Sequence, residues 1–186
     1  MSRFLYLVTL TLVLATIIHI VIILILPSFA ARDAWATLAK QGKPWEFTLA
    51  VAPNSAENAA FPDSDPSFAV AACRFNLSES ALVVEAKGDL AFWSVALFDR
   101  RGRNTYSFND RTAIGRKLFL IVVDAVQMSK LRKNPTEEVE RAVLIETDLS
   151  EGFVLVRALQ SDPSEVDELS KFIRNATCRK YQIAEE

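Results

Sequence analysis

The feature that most constrains this chain is a run of 23 uncharged, nearly all apolar residues from Phe4 to Leu26. At ~1.5 Å rise per residue, a helix of that length crosses the ~30 Å hydrocarbon core of a bilayer with some tilt. A secretory leader carries an apolar stretch of only about 7 to 15 residues. The run is therefore read as an uncleaved transmembrane anchor, residues 1–30, although Ser28-Phe29-Ala30 offers small residues at cleavage spacing. It is expected to stop at Pro27. The remainder, residues 31–186, is read as one extracytoplasmic β-rich domain.

Orientation follows from few charges. The amino terminus and Arg3 precede the helix, whereas the far flank mixes Arg32 with Asp33 before Lys40 and Lys43. Basic residues favour the cytoplasmic side, and so short a leading tail is simplest to leave there. The expectation is a single-pass protein of a bacterial inner membrane, N-terminus cytoplasmic and C-terminal domain periplasmic. His19 lies within the span and is the only histidine in the chain. It reads either as a membrane polar candidate that hydrogen-bonds a partner helix or as a neutral imidazole paired with a backbone carbonyl or Thr16.

Composition limits the partners. A chain of 186 residues with a formal charge of −2 lacks the cationic excess of a nucleic-acid binder, so nucleic acid is excluded as an expected partner. With 51% hydrophobic residues, 5 glycines and 7 prolines, it is no low-complexity sequence. No internal repeat is evident.

Cys73 and Cys178 are the only cysteines. In an exported domain an even pair reads as a disulfide, here expected to tie the C-terminal helix to an early strand; two buried free thiols are the competing reading. Closing so long a loop contributes about 4 to 5 kcal/mol on the chain-entropy estimate. Two cysteines without an extramembrane histidine do not make a zinc site, so no metal and no cofactor are expected.

Along the domain, Arg32–Gln41 carries Ala34, Trp35, Leu38 and Ala39 at helical spacing and ends at Gly42 and Pro44. Trp35 and Trp45 suit either the headgroup layer or packing against the domain. Trp45–Val51 alternates like a strand and precedes an irregular loop, Pro53–Pro66, whose Asp63 and Asp65 are either functional or simply solvated. Strands are expected at Phe68–Leu77, Leu82–Ala86, Phe92–Asp99, Asn104–Asn109, Leu118–Val123, Ala142–Glu146 and Phe153–Ala158. Ala125–Lys133 reads as a short helix and Pro135–Glu140 as an acidic connector. A last helix, capped at Ser161 or Asp162, buries Val166, Leu169, Phe172, Ile173 and Ala176. The fold class is mainly β: an antiparallel sandwich or jelly-roll-like domain with a C-terminal helix, behind one transmembrane helix.

Without a histidine outside the membrane, no Ser-His-Asp or Cys-His arrangement can form, and no phosphate-binding glycine loop or nucleophile elbow appears. The densest polar constellation is a hairpin, with Asp99, Arg100, Arg101, Arg103 and Asn104 around Gly102, followed by Tyr106, Asn109, Asp110 and Arg111. These are the binding candidates: several guanidiniums near carboxylates suit an anionic polymer or an acidic partner. The plain alternative is a solvated turn with local ion pairs. The sequons at Asn76 and Asn175 matter only in a glycosylating host.

The stretch FWSVALFDRRGRNTYSFNDRT, preceded by DPSFAVAACRFNL, resembles the bacterial domain-of-unknown-function family numbered twelve fifty-four, in particular its small membrane-anchored members. The resemblance covers about Trp35 to Ala158. It implies a β-rich fold and a companion uncharacterised domain fused or encoded alongside. It implies no activity and no catalytic residues.

Three functions fit. One is a non-enzymatic envelope component for interaction or assembly, whose partners are the membrane and another small membrane protein carrying the companion domain. A second is a carboxylate-dependent enzyme on an envelope glycan, using Asp99, Tyr106 or Asp110. A third is a binding module for an anionic glycan or lipid headgroup.

Overall fold

A computed structural model describes residues 2–51, 65, 67–88 and 90–183, with the backbone alone at 27–33 and 51. α1 runs unbroken over Ser2–Gln41. Its Ser2–Leu26 part is long and apolar enough to cross a membrane, and none of that part is buried in the protein. The expected stop at Pro27 and the separate helix over Arg32–Gln41 do not occur. Proline forfeits one N–H donor, a loss that helices near a bilayer tolerate. Past it, Ala34, Trp35 and Leu38 form a face that packs on the domain and holds the helix.

The strands are β1 (Thr48–Val51), β2 (Phe68–Asn76), β3 (Ala81–Ala86), β4 (Trp93–Asp99), β5 (Asn104–Asn109) and β6 (Leu118–Val123). Helices α2 (Ala125–Lys133) and α3 (Glu137–Arg141) follow, then β7 (Val143–Glu146), β8 (Glu151–Leu159), α4 (Val166–Arg174) and β9 (Thr177–Tyr181). They form a five-stranded sheet, β1-β2-β8-β4-β5, and a four-stranded sheet, β7-β6-β3-β9. All pairings are antiparallel except β6 with β7, which is parallel. That exception follows from the helical crossover: α2 and α3 carry the chain back to the start of the sheet. The β-rich sandwich expected from the sequence is the observed fold, with this parallel edge as a departure.

The two inner faces meet in one core. Ala71, Cys73 and Phe75 from β2, Val95 and Leu97 from β4, and Val154 and Val156 from β8 face Leu82, Val84, Leu120, Val122 and Cys178. Each outer face is covered as well. Met128, Leu131 and Val139 lie over Val83, Ile121 and Val123. On the five-stranded sheet, Leu38 packs with Ala50, Val70, Ala72 and Phe153. Double coverage explains why β2 and β3 are buried almost without alternation, whereas β4 alternates strictly. Burying Leu38 contributes about 2 kcal/mol and joins α1 to the domain.

Asp162 and Glu165 form a capping box ahead of α4, and Leu169, Phe172 and Ile173 are buried as expected. The chain then turns into β9, which the sequence reading missed. The disulfide Cys73–Cys178 accordingly joins β2 to β9, one strand of each sheet, with Cα atoms 6.5 Å apart; it does not tie down the C-terminal helix. Of the loop carboxylates, Asp63 lies outside the described residues, and Asp65 accepts from the Ser67 amide at 2.9 Å at the start of β2.

Candidate functional site

The polar constellation sits on the β4–β5 hairpin. Asp99 ends β4 and is only 5% exposed. Its Oδ1 accepts from the amides of Arg101 (2.8 Å) and Arg103 (2.9 Å), and its Oδ2 from Arg103 Nε (2.7 Å). Gly102 occupies φ 75°, the left-handed conformation that glycine adopts most readily, and its amide donates to the Asp99 carbonyl at 2.9 Å. Burial pushes the Asp99 carboxyl up, but the hydrogen bonds and charge of Arg103, with the Arg101 amide, outweigh it and hold it below the usual carboxylate range. Asp99 is thus the fastener of its own turn.

Arg100 points across the sheet. Its Nη1 donates to Glu151 Oε2 at 3.0 Å, and its guanidinium lies 5.6 Å from the centroid of the Trp35 ring, which Arg74 also approaches at 5.5 Å. Trp35 packs on Phe153 as well. This indole therefore packs on the domain and is boxed by cations. Arg101 and Arg103 are exposed.

The rest of the constellation runs away from this tip. Asn104 and Tyr106 are exposed on β5, an edge strand, with Tyr106 paired across from Leu97 and tilted against Phe108. Asn109 Oδ1 accepts from the Arg111 amide at 3.1 Å, and Arg111 is exposed. Asp110 is 1% exposed, and its Oδ2 meets Arg116 Nη2 at 3.0 Å; its Oδ1 has no hydrogen-bond partner among the described residues. Six residues of strand separate Asp99 from Asp110, about 20 Å. The structure therefore does not bring Asp99, Tyr106 and Asp110 together.

Sequence reasoning missed Arg116. It stands at φ 58° after Gly115 at φ 60°, its carbonyl accepts from Trp93 Nε1 at 3.3 Å, and its Nη2 reaches the carbonyls of Leu90 and Ala91 at 3.4 and 3.5 Å. It pins the far end of the sandwich. The other missed feature is a cleft of about 390 Å³ between the edge strands β1 and β9, lined by Trp45, Phe47, Leu49, Ile173, Thr177 and Cys178. Trp45, at φ 67°, donates its amide to the Arg74 carbonyl at 2.9 Å. Lys180 lies 5.2 Å from its ring centroid and 2.8 Å from Glu79, whose carboxyl it holds below the ordinary value.

His19 is exposed on α1, and the Thr16 hydroxyl donates to the Leu12 carbonyl at 2.8 Å. Among the described residues, no three His, Cys, Asp or Glu side chains gather as a metal site.

No known family pattern matches the chain, and neither does any curated protein. Among solved structures, the VPA0106 protein from Vibrio parahaemolyticus is similar, with a TM-score of 0.56 at 9% identity over 86% of this chain and 40% of that one. An uncharacterised protein from Burkholderia cenocepacia gives 0.49 at 11% identity, over 87% of this chain and 42% of that one. The chain thus spans about two fifths of each neighbour's length. At such identity the first likeness concerns the fold alone: a two-sheet β domain, here behind an apolar helix.

Proposed function

We propose that this is a single-pass component of the bacterial inner membrane, with its N-terminus in the cytoplasm and its sandwich in the periplasm, and that it works by binding another protein. The observation that carries the reading is the continuity of α1, which passes from an apolar span into an end packed on the sheet through Trp35 and Leu38. A secretory leader carries an apolar core of only about 7 to 15 residues, shorter than the span Ser2–Leu26. The disulfide supports the side: such bonds persist in oxidising compartments outside the cytoplasm. The partner would be a small membrane protein carrying the companion domain of the family this chain resembles.

An enzyme of envelope glycans finds less support. Its candidate carboxylates stand about a strand's length apart, and each holds a turn. The test is in-cell crosslinking, mild detergent extraction and affinity purification from native membranes. One protein recovered in stoichiometric amount is the expected result; a clean monomer would contradict the reading.

A further inference from the structure

From the juxtaposition of the β4–β5 hairpin tip with the emerging end of α1, we infer that Arg100, Arg101 and Arg103, with Arg74, contact anionic phospholipid headgroups and so fix the sandwich against the bilayer. The inference rests on the anchored reading. Trp35 lies nine positions beyond Leu26, the last residue of the apolar span, which on a helix is about 14 Å. The headgroup layer fills about 5 to 8 Å of that distance. Arg100, stacked on Trp35, is then within about one Debye length of the lipid phosphates with α1 upright.

The charge at the tip fits an anionic surface. Two of the four arginines there are ion-paired, Arg100 with Glu151 and Arg103 with Asp99, while the Arg74 guanidinium lies over the Trp35 ring and donates to the Gly42 carbonyl at 2.7 Å. Asp99 faces inward into the turn, and the arginines of its ion pair and of the Glu151 pair remain largely exposed, with side chains 72% and 65% accessible. Among the described residues no carboxylate lies within ion-pair distance of Arg101, although Asp148 stands on the adjoining β7–β8 turn. Planar guanidiniums suit phosphate oxygens. The opposite end of the hairpin has no such arrangement, since its Arg116 is turned onto Asp110.

The experiment uses the full chain in nanodiscs of phosphatidylcholine alone or with about one-third phosphatidylglycerol, reading hydrogen exchange of the amides of residues 100–104. One basic contact with an anionic surface corresponds to about a fivefold effect, so exchange should slow about fivefold in the anionic discs. The slowing should fade at about 0.5 M salt. Arg101→Glu should remove most of it, and Arg111→Glu, at the far end of β5, should leave it intact. Equal exchange in both kinds of disc would overturn the inference while leaving the anchor standing, as would protection seen only in native membranes, which would assign the tip to a protein. A chain that does not enter the discs would sink the anchor and this inference together.

Discussion

Asp99 and Asp110 sit at opposite ends of β5, both almost wholly buried, and the two ends are built differently. Asp99 takes three donors from within four residues of itself. Asp110 relies on one ion pair with Arg116, a residue in the left-handed region whose side chain is 57% exposed, and leaves its second oxygen without a partner among the described residues. A carboxylate beside arginines in sequence can therefore mean a turn. The end closed by local bonds keeps its arginines facing outward, beside α1, and the other end turns Arg116 onto Asp110.

The largest effect falls on both ends alike. Replacing Cys73 and Cys178 together by Ala unfastens the two sheets and should lower stability by about 4 to 5 kcal/mol in chemical unfolding. A loss confined to one end by hydrogen exchange would break the picture of a single inter-sheet tie. Next comes Asp99→Ala, which removes three charge-assisted bonds and should destabilise by about 3 kcal/mol, read as a lower unfolding midpoint and faster exchange at the tip.

Acid sharpens the contrast further. The Asp99 carboxyl is held below its ordinary value of about 4, so its stabilising contribution is complete above about pH 5 and is lost as pH falls through the lowered folded value. Unfolding titrated downward from pH 5 should show a stability loss that Asp99→Asn reduces. An unchanged slope in the variant would remove Asp99 from the acid response. Asp110→Asn should cost only about 1 kcal/mol, because its one partner is half solvated. A larger loss than at Asp99 would invert the comparison. Tyr106→Ala, on an exposed edge strand, should change stability by less than about 0.5 kcal/mol.

Much of the sandwich was legible where burial follows a local period. β4 alternates strictly and starts one residue after the expected Phe92, β6 lies where its apolar run places it, and α2 spans the expected residues. β9 was hidden because it buries only Cys178 and Tyr181, three positions apart, a spacing that prolongs the helical pattern of α4. α1 looked interrupted because Pro27 reads as a stop, and the docked face beyond it becomes evident only with the sheet it meets. The parallel pairing of β7 leaves no trace in residue order. For the candidate site, the hairpin itself held the signal. Asp99 stands three positions before Gly102 and Asp110 eight after it, so on paired strands Asp110 falls near the start of β4, where Asn109 is opposite Ser94, far from Asp99 at its end. Arg116 carries no such signal, since its role depends on a left-handed backbone at a non-glycine residue.

Everything proposed rests on the sandwich being held outside the cytoplasm by α1. Alkaline phosphatase fused to the C-terminus, assayed in membranes washed with alkaline carbonate, tests this directly. High activity retained in the washed membranes is the expected result. An inactive fusion, or activity released wholly into the wash, would contradict it.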